Sequence, residues 1–214
     1  MIADASNIET VVNHAFVIIV SICVFFLLLI TVLMVVFVIK YSRKKNKKPK
    51  NIHGNVPLEL TWTLIPTLIV IYMFWLGWTG YQTMSSPPKD AMVIHIDAQM
   101  WKWTFHYDNG ATSDTLYVPL NKPIRVDLHS KDVDHSFFVP AFRVKKDVIP
   151  TRHNFTWFKP EKIGEYQIEC AQYCGLGHSQ MLAKLVVLSQ DKFAKWLNSK
   201  AAKQDTSKQV AANQ

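Results

Sequence analysis

From Ala15 to Ile39 the chain runs for 25 residues without a charge, and from Leu60 to Gly80 for another 21. Backbone polar groups cannot be left unpaired in hydrocarbon, so such runs are confined to helix. At about 1.5 Å per residue the first spans about 37 Å and the second about 31 Å, against about 30 Å of bilayer core. Only Ser21, Cys23 and Thr31 interrupt the first run, and a lone Cys in such a run reads as a packing residue. No Lys or Arg precedes it, whereas Asp4 and Glu9 do, so it reads as a retained span rather than a cleaved signal. Pro66 is expected near the start of the second helix, where a missing donor does least harm.

Between the runs lies Lys40-Tyr-Ser-Arg43-Lys44-Lys45-Asn-Lys47-Lys48-Pro-Lys50, with seven basic residues and no acid. Basic short loops mark the cytoplasmic side, which predicts that both termini face outward. This loop accounts for most of the formal charge of +8. From 85 to 190 the chain is near neutral, with 12 Lys and Arg against 11 Asp and Glu. Nothing in that balance asks for nucleic acid. The expected organisation is a transmembrane hairpin over 1–84, with spans at about 15–39 and 60–82 and a cytoplasmic loop at 40–56. An external domain over 85–190 follows, then a C-terminal helix and frayed tail over 191–214.

The external segment reads as short strands. Met92 to Ala98 and Ile124 to His129 alternate apolar and polar residues, the pattern of half-buried strands. Further candidates are Thr115–Val118, Ser136–Val139, Asn154–Phe158, Gly164–Glu169 and Leu182–Leu188. Pro119, Pro123, Pro140, Pro150 and Pro160 punctuate them. Membrane helices followed by an all-β sandwich or barrel is the expected fold class. In the tail, Phe193, Trp196 and Leu197 fall on one side of a helical repeat.

Chemistry concentrates in Cys170-Ala-Gln-Tyr-Cys174-Gly-Leu-Gly-His178-Ser-Gln-Met181. Thiolate and thioether are soft ligands that favour copper, and imidazole suits copper as well. A zinc site of two Cys and two His is one reading, but zinc has no use for Met181. A blue-copper site needs one Cys and two His, and here there is one Cys too many. A Cys170–Cys174 disulfide would leave His178 and Met181 without a role. Two thiolates bridging two copper ions would need a second His from elsewhere. His95, His106, His129 and His153 read as surface or satisfied strand residues. His135 starts a strand candidate after the Asp132-Val-Asp134 turn, 35 residues before Cys170, and a residue so placed can meet a distant loop.

With these stretches in view, the chain resembles cytochrome c oxidase subunit II over nearly its whole length. Asp132-Val-Asp-His135-Ser-Phe is similar to the family segment that supplies the first histidine, and Cys170-x3-Cys174-x3-His178-x2-Met181 matches the rest. The resemblance implies a cupredoxin-like Greek-key sandwich holding a dinuclear copper centre, CuA. Its implied ligands are His135, Cys170, Cys174, His178, Met181 and the backbone carbonyl of Gln172. Met100-Trp101-Lys-Trp103-Thr-Phe105-His-Tyr107 resembles the family's aromatic segment, which makes Trp101 the implied point where electrons enter. Trp103 and Phe105 read as core. Glu59-Leu-Thr-Trp62-Thr-Leu-Ile-Pro66 resembles the start of the second family helix, whose Glu is implied at the mouth of a proton channel in the catalytic subunit. Lys146-Asp147-Val-Ile-Pro150-Thr-Arg152 matches a family segment near the subunit interface.

The implied function is electron input to a respiratory haem-copper oxidase of a bacterial cell membrane. A cytochrome c or other c-type haem donor would supply single electrons. Subunit I, carrying the haems and CuB, would reduce oxygen and pump protons, with subunit III as a further partner. Many family members carry Glu where this chain has Gln172, and that Glu is implied in a shared magnesium or manganese site. A neutral amide is a weaker ligand for a hard cation, which makes that shared site the inherited feature least supported by this sequence. A quinol-oxidase subunit shares the fold without the copper ligands, and a zinc-stabilised binding module is the rival of another class.

Overall fold

The computed structural model describes residues 5–48 and 53–200. The two apolar runs lie within α1 (Asn7–Lys40) and α2 (Val56–Ser85). Each helix starts at a side-chain cap. The Glu9 N–H donates to Ser6 Oγ at 3.3 Å, while the Glu9 carboxylate accepts the Ala5 N–H at 2.8 Å. At α2 the Leu58 N–H donates to Asn55 Oδ1 and Glu59 Oε1 accepts the Asn55 N–H, both at 3.2 Å. Such caps satisfy end donors that have no partner within the helix and contribute about 1 kcal/mol each. Hydroxyls inside the spans are satisfied locally. Ser21, Thr31 and Thr67 donate to the carbonyls of Val17, Leu27 and Thr63, four residues back, at 2.6–2.7 Å.

Pro66 is not near the helix start. Because α2 begins at Val56, Pro66 sits ten residues inside it. The polar stretch before Leu60 hid that extra turn, since Asn55 and Glu59 close a cap rather than break the helix. An interior proline is more tolerable in a membrane helix than in a soluble one.

Two compact units emerge. One is Asn13–Gly80, and the other joins Met1–Val12 to Tyr81–Gln214, each over its described residues. The sequence-based division falls instead at 84, where the apolar composition ends. The short N-terminal piece belongs with the strands because its backbone bonds there. The Asn7 N–H donates to the Lys159 carbonyl at 3.2 Å, and the Lys159 N–H to Asn7 Oδ1 at 2.8 Å. Ser6 Oγ donates to the Phe142 carbonyl at 3.1 Å.

The β unit holds ten strands. They are β1 (Met92–Gln99), β2 (Lys102–Tyr107), β3 (Thr112–Ser113), β4 (Thr115–Pro119), β5 (Ile124–Ser130), β6 (His135–Val139), β7 (Val144–Val148), β8 (Asn154–Phe158), β9 (Gly164–Cys170) and β10 (Leu182–Leu188). They form two five-stranded sheets, ordered β3-β2-β1-β5-β8 and β4-β10-β9-β6-β7. β1 pairs parallel with β5 and β10 parallel with β4, so the chain crosses between sheets in the Greek-key manner. Alternation is strict where predicted. Ile94, Ile96 and Ala98 of β1 are fully buried, as are Ile124 and Val126 of β5.

The strands β2, β3 and β7 were not among the sequence candidates. β7 reads Val-Lys-Lys-Asp-Val and is an edge strand, where charge guards against pairing with another chain and masks the strand pattern. Residues 190–200 are helical. Phe193 is buried, and Trp196 packs on Tyr107 and Tyr117 at ring separations of 5.0 and 4.4 Å. The tail predicted to fray beyond residue 200 lies outside the described residues.

Phe142 joins the two sheets. It is fully buried, with edge-to-face contacts to Phe158 at 5.2 Å and Tyr166 at 4.9 Å. Replacing Phe142 with Ala should destabilise the β unit by about 3–5 kcal/mol, measured by denaturant unfolding of the full chain in detergent. A loss below about 1 kcal/mol would mean the space collapses freely.

Candidate metal centre

One sheet assembles the site. Cys170 closes β9, and its neighbour β6 begins with His135; Phe137 lies opposite Cys170 in that antiparallel pair. β9 returns as β10, so residues 171–181 form a loop whose two ends are adjacent. The Ala171 N–H donates to the Ser136 carbonyl at 3.0 Å, and the Cys170 N–H to the Met181 carbonyl at 3.2 Å. Within the loop, His178, Gln180 and Met181 donate to the carbonyls of Gly175, Gly177 and His178.

Two glycines make this loop possible. Gly175 has φ +110°, outside the range of ordinary L-residues. At Gly177 a Cβ would lie 2.5 Å from Cδ2 of Trp101, so the ring sits directly on the backbone there. The Trp101 indole N–H donates to the Cys174 carbonyl at 3.1 Å, and 40% of the residue remains exposed.

The donor atoms converge. His135 Nδ1 lies 3.8 Å from Cys170 Sγ, which lies 3.7 Å from Cys174 Sγ. Cys174 Sγ lies 3.6 Å from His178 Nδ1 and 3.9 Å from the Met181 sulfur. The Gln172 carbonyl accepts from the Cys170 thiol at 3.2 Å, so it too points into the site. Both cysteines are free thiols. The disulfide reading therefore has no support in this geometry.

These distances fit metal ligation. Ligands sharing a tetrahedral ion at about 2.3 Å to sulfur and about 2.0–2.1 Å to nitrogen are separated by about 3.8 Å (S to S) and 3.6 Å (N to S). The ligating atoms of His135, Cys170 and Cys174 lie within 4.8 Å of one another. His178, beyond Cys174, does not join that mutual set. The two histidines thus flank a pair of thiols from opposite ends.

His135 is fully buried and its ring is oriented from outside the site. Nε2 lies 2.8 Å from Asp132 Oδ1, which leaves Nδ1 free to face the thiols. Asp132 also accepts the Met100 and Val133 N–H groups, each at 2.7 Å. Burial acts to raise its pKa, but these hydrogen bonds outweigh it and hold the carboxyl below the ordinary carboxylate value. Asp132 is the residue that sequence reading undervalued, because it looked like part of a surface acidic turn. The available signal was an acid three residues before a histidine at a strand start.

Aromatic and apolar side chains close the rest. Trp103 meets the His135 ring edge-on at 6.2 Å and Phe137 at 5.9 Å, and its N–H donates to the Met181 carbonyl at 3.3 Å. Trp103 and Phe105 are core residues, as expected, although Trp103 also braces the site. Phe137 and Met181 are fully buried, whereas Phe138 is half-buried. Four histidines stay apart from the site. His106 and His129 bond Asp97 at 3.1 and 3.2 Å, His95 is exposed near Asp127, and His153 is exposed.

A two-sheet β domain of cupredoxin-like build, anchored by membrane helices and holding a His-Cys-Cys cluster, defines the class of protein. Residues 110–189 match the family model for the cytochrome c oxidase subunit II periplasmic domain, and residues 2–76 that for its transmembrane domain. The chain belongs to the cytochrome c oxidase subunit II family. Cytochrome c oxidase subunit 2 of Alkalihalophilus pseudofirmus is 33% identical over 208 residues, covering 92% of this chain. The chain spans 61% of that relative's length. Among solved structures, the periplasmic domain of subunit II of cytochrome oxidase of Bradyrhizobium japonicum is 33% identical with a TM-score of 0.53. That match covers 55% of this chain and 99% of the other. A chain of a haem-copper terminal oxidase dimer is 25% identical with a TM-score of 0.50, covering 62% of this chain and 98% of the other.

Burial, and then the Cys170 thiol beside it, push the Cys174 thiol up to about 12. At neutral pH the metal-free chain therefore holds this proton, and ligation must displace it. Apparent metal affinity should rise about tenfold per pH unit for each proton displaced, and fall in acid. Calorimetric titration of the metal-free chain in buffers of different ionisation enthalpy measures the release. Uptake without proton release would remove Cys174 from the ligand set.

Proposed function

We propose that this chain is the electron-accepting subunit of a respiratory haem-copper oxidase in a bacterial cell membrane. Its dinuclear copper centre would be held by His135, Cys170, Cys174, His178, Met181 and the Gln172 backbone carbonyl. One observation carries the reading: two unpaired thiols flanked by two histidines, with a thioether and a carbonyl turned toward them. When bound, the copper pair supplies one-electron redox chemistry. The chain's own work is to hold the ligands still. Asp132 fixes the His135 ring, the Met181 carbonyl is held by the Cys170 and Trp103 N–H groups, and Gly177 seats the Trp101 ring. Ligands that do not move between redox states keep electron transfer fast.

Trp101 is the proposed point where electrons enter. Its ring is half-exposed at the surface and its indole N–H reaches the carbonyl of a ligand residue. The proposed partners are a c-type haem donor on the outer side, subunit I with its haems and CuB, and subunit III. Subunit I is where oxygen would be reduced and protons pumped. Glu59, exposed at the capped start of α2, is proposed at the mouth of the partner's proton channel. The basic loop supports the orientation with the β unit outside. The Gln172 side chain is an exposed neutral amide, so a shared magnesium or manganese site has little support from this chain.

The exposed surface around Trp101 is mainly apolar. Met100, Val133, Tyr173 and Leu176 are exposed, Leu176 at 94%. Among the acids, Asp132 is turned to His135, Asp108 lies past the far end of β2, about 20 Å along the strand from Trp101, and Asp134 is exposed beside Val133. A donor should therefore dock mainly by apolar contact.

Loaded with copper, the full chain should bind two copper ions and give a seven-line mixed-valence EPR signal. One zinc per chain and no such signal would sink the assignment. Oxidase turnover with a c-type donor should change less than about threefold between low and physiological salt, because few charges lie at the docking face to be screened. A steep salt dependence would point to a charged docking site elsewhere.

A further inference from the structure

We propose that Tyr173 is a positioning residue for His178, holding its imidazole toward Cys174 as Asp132 and Trp103 hold His135. The inference rests on the ligand set of the proposed function and gives a task to a side chain outside that set.

The two histidines are held by different means. His135 is fully buried, lies 2.8 Å from Asp132 through Nε2 and meets the Trp103 ring at 6.2 Å. His178 is half-buried and opens a three-residue 3-10 turn (His178–Gln180) in the connection between β9 and β10. Its Nδ1 lies 3.6 Å from Cys174 Sγ, and among the described residues it pairs with no carboxylate. A ligating imidazole needs its ring orientation fixed from outside the metal. For His178, packing is what this chain supplies.

Tyr173 supplies that packing. Its ring meets the imidazole at 5.8 Å and 62°, the edge-to-face arrangement that aromatic pairs favour. Tyr173 is 75% exposed, and His178 is its one aromatic contact among the described residues. Core burial therefore does not explain where this ring sits. Its backbone is placed by its neighbours, because the Gln172 carbonyl and the Cys174 sulfur on either side both turn into the site. From that fixed point the ring reaches His178, five residues on. Two large rings thus divide the loop between them. Trp101 lies against the backbone at Gly175 and Gly177, and Tyr173 lies against the ligand ring. A Tyr173 that served donor docking alone would leave His178 indifferent to its removal.

The test compares Y173A, Y173F and Q180A with the wild type, as full chains in detergent. Gln180 shares the short turn with His178 and is exposed. In the metal-free chain, side-chain coupling constants of isotopically labelled histidine should show one His178 rotamer in the wild type, Y173F and Q180A, and averaging among rotamers in Y173A. Loaded with copper, Y173A should lose metal to a chelator about two- to tenfold faster than the wild type, the factor that an aromatic pair supplies. Y173F and Q180A should keep the wild-type rate, and all variants the wild-type circular dichroism. A single fixed rotamer in Y173A would overturn the proposal, as would a wild-type rate of metal loss. A change in Y173F or Q180A equal to that in Y173A would overturn it too. Failure of the wild type to take up two copper ions would count against the proposed function instead, and the rotamer comparison in the metal-free chain would still decide the role of Tyr173.

Discussion

The site depends on the pairing of β6 with β9. That antiparallel ladder sets Phe137 opposite Cys170, the last residue of β9, which brings His135, two residues earlier on the same face, to the thiol, and the Ala171 N–H bond to the Ser136 carbonyl continues it one step into the loop. His135 and Cys170 are 35 residues apart in sequence, yet they become neighbours through a register set by the buried side chains of both strands. A slip of one residue would turn Phe137 and Ile168 out of the core. The hydrophobic core therefore guards the proposed metal ligands. No contact among the ligands themselves is needed to bring them together.

Burial then makes its own demands. His135 is fully excluded from water, and a buried imidazole with an unmet nitrogen is costly. Asp132 meets one nitrogen from the turn before the strand, and the thiols face the other. The same low-dielectric surroundings hold the Cys174 thiol protonated. A metal-free chain is therefore folded around a set of poor ligands that ligation converts into good ones.

Much of this was legible from residues alone. The two spans followed from uncharged length, and seven of the ten strands from alternation and proline punctuation. The five proposed side-chain ligands stood out by type and spacing or by resemblance. What stayed hidden has physical causes. β7 is an edge strand, and its Lys145, Lys146 and Asp147 erase the period-two signal. β2 does alternate, burying Trp103, Phe105 and Tyr107, but three aromatics in six residues read more readily as a functional segment than as a strand. Pro66 was misplaced because capping by Asn55 and Glu59 lets α2 begin in polar sequence. Asp132 was undervalued because a side chain's direction out of a turn is not written in its neighbours. The attachment of residues 5–12 to the β unit depends on backbone bonds to Lys159 and Glu161, which no local pattern foretells.

Rigidity at the loop links the fold to electron transfer. A redox centre loses speed when its ligands shift between oxidation states, and an eleven-residue connection between strands would ordinarily be mobile. Here residues 171–181 are tied at both ends by strand pairing and in the middle by three backbone bonds. Trp101 presses on Gly177 so closely that no side chain would fit between them, and it bonds the Cys174 carbonyl from the same position. Its neighbour Met100 is held in turn by Asp132, the residue that orients His135. One carboxylate thus braces a buried ligand and the strand end that carries the exposed ring. The surface indole and the buried imidazole are linked through two hydrogen bonds to the same carboxylate, one by way of the Met100 backbone.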